Sequence, residues 1–236
     1  MVRGTGLLAE LRRADATPEE VDDARRALEQ QVTVLLATSE VRGERPTVHD
    51  EVEQGLYFFE SAIWETAARI HGDAERALRR EFGDAAADVD VPVFLRWRSW
   101  IGSDRDGNPN VTPDVTRRTF ARQREVAVAL LREELRALLE VLSLSERLVA
   151  VPDALQRRLE RDDAAPDEGR YPREPWRRLI ARMIARLERA ADDDRAAQSF
   201  GEDLELARAT LIEAGYADIA RHGRLQRVRV LLHTFG

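Results

Sequence analysis

The stretch RSWIGSDRDGNPNVTPDVT, Arg98 to Thr116, gathers the residue types in this chain that are best suited to chemistry. Arg98 and Arg105 offer forked N–H donors for an anion, Trp100 offers an apolar face, and Asp104 and Asp106 offer carboxylates. A polar wall for an anionic ligand is one reading of this composition. The other is structural. Asp-Gly and Asn-Pro make turns, aspartates cap free backbone N–H groups, and Arg105 pairs with a neighbour. Residue types alone leave the two readings open.

Other chemistries fail on composition or register. A calcium loop that places Asp104, Asp106 and Gly107 correctly puts Gly102 first and Pro113 last, where Asp and Glu are required. GTGLLA at Gly4 has dinucleotide spacing, but only Met-Val-Arg precedes it and no strand can. His49, His71, His222 and His233 are scattered without metal-ligand spacing and read as core or surface histidines. The absence of cysteine excludes disulfides and thiolate sites. All 37 basic residues are arginine, which excludes a Walker lysine, a Schiff base and a lysine general base. A net charge of -7 speaks against a nucleic-acid partner. No run approaches the ~18 apolar residues of a membrane span, and the first residues are too weakly apolar for a signal peptide, so a cytoplasmic protein is expected.

The elements around the stretch read as long helices. Thr17-Pro18-Glu19-Glu20 is a capping box that opens a helix to about Val41, with Val21, Ala24, Leu28, Val32 and Leu35 on one stripe. Thr47 caps a longer helix to about Phe82, closed by Gly83, and the pair predicts a helical hairpin over 17–83. In DVPVFLRWRSW, Val93, Leu95 and Trp97 alternate with Phe94, Arg96 and Arg98, which predicts a strand over 92–99. Thr112-Pro113-Asp114 starts a helix to about Leu142. A loop-rich stretch with one short helix follows at 151–174, then an amphipathic helix in PWRRLIARMIARLERAA. DDDRAAQSF separates that helix from others near 202–214 and 224–234, with Gly215 and Gly223 as stops. A lone strand cannot make a sheet. Strand, loop and helix in this order predict a mainly α fold: long antiparallel helices plus one strand and the active-site loop of an incomplete (β/α)8-type barrel, with residues 1–236 as a single partial domain.

RSWIGSDRDGNPNVTPDVT resembles the SW-x-G-G-DRDGNP-x-VT segment of phosphoenolpyruvate carboxylase, with Ser103 at the second glycine. TSEVRGERPTVHDEVEQGLYFFESAIWE, Thr38 to Glu65, resembles the family's TDEIR…(R/Q)P(T/S)P-x-DE helix-loop-helix. ARHGRLQRVRVLLHTFG resembles the helix that enters the next barrel strand. Together they cover the chain from about residue 30 onward, as an internal fragment of the archaeal or bacterial type.

The resemblance implies carboxylation of phosphoenolpyruvate by bicarbonate to oxaloacetate and phosphate, with Mg²⁺ or Mn²⁺ in the full-length enzyme and none bound by this chain alone. It implies that Trp100 lines the apolar pocket near the reacting carbon, and that Asp104, Arg105, Asp106 and Asn108 organise the barrel mouth. With Arg98 and Gly102 these form the expected substrate-pocket set. Arg42 matches a basic position that some relatives use for sugar-phosphate activation, although Gly43 replaces the second basic residue. The family's TAHPTE, GYSDS-x-KD and FHGRGG motifs and its metal carboxylates do not occur in these 236 residues. No catalytic residue or metal ligand is therefore assigned, and the chain alone is expected to be inactive. The expected partners are phosphoenolpyruvate and bicarbonate in the complete enzyme, and a second copy or the enzyme's other segments; no membrane is expected. The alternative is a non-catalytic helical protein derived from such a gene, kept for self-association or partner binding.

Overall fold

Helix starts and stops lie where local chemistry places them. A computed structural model describes residues 16–37, 46–86, 89–161, 170–189 and 194–235. The chain divides into two compact units, Met1–Thr47 and Val48–Gly236.

The first unit contains α1, Pro18–Ala37. Its capping box is formed: the Thr17 hydroxyl accepts from Glu20 N at 3.3 Å, and Glu20 Oε2 accepts from Thr17 N at 2.7 Å. The expected end near Val41, and Arg42 itself, lie outside the described residues.

The second unit opens with α2, Val48–Phe58, a π-helical turn Phe59–Ile63, and α3, Trp64–Phe82. They run on as the predicted long helix and end at Gly83, whose φ of 55° only glycine adopts cheaply. Then come α4, Pro113–Val141; α5, Asp153–Glu160; α6, Pro175–Arg189; α7, Asp194–Glu213; α8, Ala217–His222; and α9, Arg224–Phe235. α4 starts as its sequence dictates, with Thr112 Oγ1 accepting from Val115 N and proline in the first turn. Residues 194–199, read from sequence as a separator, already belong to α7.

The main core fills the space between the second half of α4 and α5–α9. Leu135, Leu138, Leu155, Trp176, Ile180, Met183, Leu204, Leu211 and Val228 are all buried there. The Trp176 indole N–H is satisfied by Thr210 Oγ1 at 3.1 Å. Arg158 from α5 and Arg186 from α6 close on the buried Asp203 of α7. A second apolar seam joins the front of the unit to this core, where Trp64 and Phe235 stack with ring centroids 5.1 Å apart and Phe59 meets both edge-on. Across α3, α4 and α9, Arg227 grips Glu134 and Glu65. Hydrogen bonds to Glu134, then to Glu65, hold its guanidinium even further above its ordinary range, against the opposing effect of burial.

The fold is mainly α, and one prediction needs correcting. Among the described residues there is no β-strand, and residues 92–99 are extended backbone without a ladder. The period-2 signal holds in burial only as far as Arg96: Val91 is buried and Val93 and Leu95 half-buried, Pro92, Phe94 and Arg96 are exposed, and Trp97, expected on the buried side, is exposed as well. What the chain lacks is a neighbour. The segment's one backbone hydrogen bond to another element, among the described residues, runs from Trp97 N to Thr234 O at 3.0 Å. Alternation reports which side faces the core, but a strand also needs a partner for its N–H and C=O groups.

Candidate functional site

Residues 89–100 deliver the loop, and side chains hold them in place. Asp90 pairs with Arg208 at 2.8 Å and Arg229 at 3.5 Å. The buried His71 ring places Nε2 3.2 Å from Val91 O and stacks on Phe94 at 5.7 Å. The anchor at Thr234 then brings Trp97 beside the end of α9.

From Trp100 the chain turns back on itself. The Trp100 carbonyl accepts from Ser103 N at 3.0 Å, Asp104 N at 3.1 Å and Ser103 Oγ at 3.0 Å. Asp104 Oδ1 accepts from Asp106 N at 3.1 Å, and Asn108 Oδ1 accepts from Asn110 N at 3.0 Å. Both are side chains folding their own loop, as the structural reading of the sequence expected. Gly102 and Gly107 take φ of 73° and 70°, left-handed turns that glycine adopts without steric cost. Gly102 is buried against α4, where a Cβ would fall 2.3 Å from Thr119 Oγ1 and 2.8 Å from Thr119 Cγ2.

An apolar cavity of about 480 Å³ lies under the start of this loop. α2 and the π-helical turn supply Leu56, Phe59 and Ile63, α4 supplies Gln123 and Ala127, α9 supplies Phe235, and the loop supplies Trp97 to Ile101. A π-helical turn widens the helix by one residue per turn, and here that turn carries Phe59 and Ile63 to the cavity. Trp100 stands at the rim with 75% of its surface exposed. Arg98 is also at the rim and, among the described residues, donates only to its neighbour's carbonyl, Trp97 O, at 3.4 Å. Arg105 forms no ion pair among the described residues.

The predicted set is therefore split. Arg98 and Trp100 line the cavity; Gly102 seats the loop below it; Asp104, Arg105, Asp106 and Asn108 form the turn beyond and are not part of the lining. Sequence reasoning missed Gly55, Thr119 and Phe235. A glycine inside an amphipathic helix was a signal for the first. Arg122 of α4 also forks onto Glu53 of α2 at 2.9 and 3.2 Å, clamping the cavity's two helical walls, and its hydrogen bonds hold the Glu53 carboxyl below the usual carboxylate range.

This arrangement is an apolar pocket walled in part by the aromatic start of the loop, with the Arg98 guanidinium beside it. Residues 2–236 match the family profile described as phosphoenolpyruvate carboxylase. A phosphoenolpyruvate carboxylase of Rhodothermus marinus is 49% identical over 244 residues, covering 98% of this chain and 26% of that protein. That of Thermus sp. (strain 71) is 37% identical over 205 residues, covering 87% of this chain and 22% of the relative. That of Azoarcus sp. (strain BH72) is 35% identical, with 98% and 26% covered. The chain belongs to the phosphoenolpyruvate carboxylase family. It spans about a quarter of the length of these curated relatives.

Among the described residues no three His, Asp or Glu side chains converge as a metal would need. Nor is any described helix long and apolar enough to cross a membrane.

Proposed function

We propose that this chain is the part of a phosphoenolpyruvate carboxylase that brings the Trp100 loop to the reaction centre. The observation that carries this reading is the Arg98–Thr116 motif folded as a self-tied loop with Trp100 over an apolar cavity. The extended backbone at 91–97 is then a barrel strand in waiting. Apart from Val91 O and Trp97 N, its N–H and C=O groups, unpaired among the described residues, are a template for neighbouring strands in the complete enzyme, and the alternating burial from Val91 to Arg96 suits a strand's two faces. Residues 1–236 would be a partial segment of that enzyme, placed in the cytoplasm and assembled with further copies.

The reaction passes a phosphoryl group from phosphoenolpyruvate to bicarbonate, leaving an enolate and carboxyphosphate. Carboxyphosphate splits to CO₂ and phosphate, and the enolate carbon then bonds to CO₂ to give oxaloacetate. Trp100 and Trp97 form a wall that holds CO₂ and keeps water from protonating the enolate. Arg98 at the rim donates to an anionic oxygen of the reactants. Asp104 and Asn108 keep the loop's shape and transfer no proton. The divalent ion that family membership implies has no fitting donor set here, since Asp104 is engaged by its own loop and no acidic cluster converges among the described residues.

The test is a transplant. Alone, the 236-residue chain is expected to form no oxaloacetate from phosphoenolpyruvate, bicarbonate and Mg²⁺ in a malate-dehydrogenase-coupled assay. Replacing the matching segment of the Rhodothermus marinus enzyme, it is expected to give an active chimaera. A folded but inactive chimaera would contradict the proposal, as would turnover by the chain alone.

A further inference from the structure

Gly55 sits inside α2, where glycine is a poor helix former and alanine would ordinarily be better. The structure shows what its missing side chain makes room for. A Cβ at position 55 would fall 2.5 Å from Ile101 Cδ1, closer than real carbon atoms approach, while the next atom, Ile101 Cγ1, is 3.9 Å away. Gly55 is thus a notch in the helix, and the tip of Ile101 is the knob that fills it. Ile101 follows Trp100 directly, and the two share the cavity wall with Gly55. On the other side Gly102 closes onto Thr119 of α4. The backbone from Trp100 to Gly102 is therefore pinned between two helices at adjacent residues.

We propose that Gly55 is a positioning residue: its notch receives Ile101 and so sets where the Trp100 indole stands over the apolar cavity. This rests on the reading of Trp100 as a wall of the carboxylation site. A change at Gly55 acts on the reaction through Ile101 and Trp100 and touches no reactant itself. Ile101 keeps 38% of its surface exposed and Cδ1 is its flexible end, so a methyl at position 55 is met first by that tip, and any displacement passes to the loop rather than to the helix.

The test uses the 236-residue chain labelled with 5-fluorotryptophan, whose four tryptophans (Trp64, Trp97, Trp100 and Trp176) give separate fluorine signals. Trp100→Phe identifies the signal of interest. Gly55→Ala is expected to shift it and to leave that of Trp176, buried in the main core, in place. Ile101→Val removes Cδ1 and leaves Cγ1 at ordinary contact distance, so Gly55→Ala/Ile101→Val is expected to return the signal to its original position. Ile101→Ala in the native Gly55 background withdraws the knob and is also expected to move it, which provides a readout if the Gly55→Ala chain does not fold. An unmoved Trp100 signal in both single variants, or purely additive shifts in the double variant, overturns the proposal.

In the chimaeric carboxylase Gly55→Ala is expected to lower kcat about tenfold or more, because misplacing a group at a reaction centre by about 1 Å is that costly. The KM for phosphoenolpyruvate is expected to change little, and Ile101→Val is expected to restore kcat. A shifted and rescued fluorine signal with unchanged kcat would leave the notch standing and overturn the assignment of Trp100 to the reaction centre.

Discussion

Asp203→Ala is expected to destabilise the second unit by about 3 kcal/mol, one of the two largest losses anticipated for a single substitution here. Asp203 is 2% exposed, and two guanidinium groups converge on its carboxylate. Arg158 donates through Nε at 2.7 Å and Nη2 at 3.1 Å, and Arg186 donates to Oδ2 while also reaching Ser199 Oγ at 3.0 Å. Removing the acid leaves two like charges facing each other where α5, α6 and α7 meet. The arginines keep about a quarter of their side-chain surface in contact with water, which moderates the loss. Alanine's higher helix propensity offsets only about 0.5 kcal/mol of it. Thermal denaturation followed by circular dichroism should show Tm lower by roughly 10 °C. An unchanged Tm would mean that the triad contributes nothing, as many ion pairs at the surface do.

Gly102→Ala is expected to cost a similar amount, about 3 kcal/mol, for two separable reasons. The left-handed φ of 73° penalises any side chain by about 1–2 kcal/mol. The new methyl would also overlap Thr119, an overpacking effect of about 1–3 kcal/mol. Gly107 provides the internal control. Its φ is 70°, but nothing lies within 4 Å of the Cβ position, so Gly107→Ala should show only the first effect. Urea denaturation of the two variants therefore measures the Thr119 contact by difference. Equal losses would show that Gly102 serves turn geometry alone and that the loop is not wedged against α4.

Much of this fold was legible because it is written locally. Thr17 with Glu20, Thr112 with Pro113, and Gly83 and Gly215 each fix a boundary through contacts within a few residues, and each boundary falls as expected. The strand at 92–99 was not legible, because a ladder is a relation between segments. Val91, Val93 and Leu95 encode a buried side but cannot supply Trp97 with a neighbour, and the neighbour it finds is the last turn of α9. The loop was recognisable as unusual from Asp104 to Asn108. Whether its acids served a ligand or a turn depended on where each oxygen pointed, and Asp104 and Asn108 point at their own backbone. The Gly55 notch was out of reach for the same reason, since its occupant lies on a different element.

In the proposed enzyme, Trp100 walls the place where the enolate meets CO₂. The most direct measurement is the ratio of phosphate released to oxaloacetate formed by the active chimaera, with and without Trp100→Ala. With Trp100 present, one phosphate should accompany each oxaloacetate. Without it, CO₂ escapes and water protonates the enolate, so phosphate should exceed oxaloacetate by about threefold or more, with pyruvate accounting for the difference. A Trp100→Ala enzyme that keeps its rate and its one-to-one ratio would contradict the account.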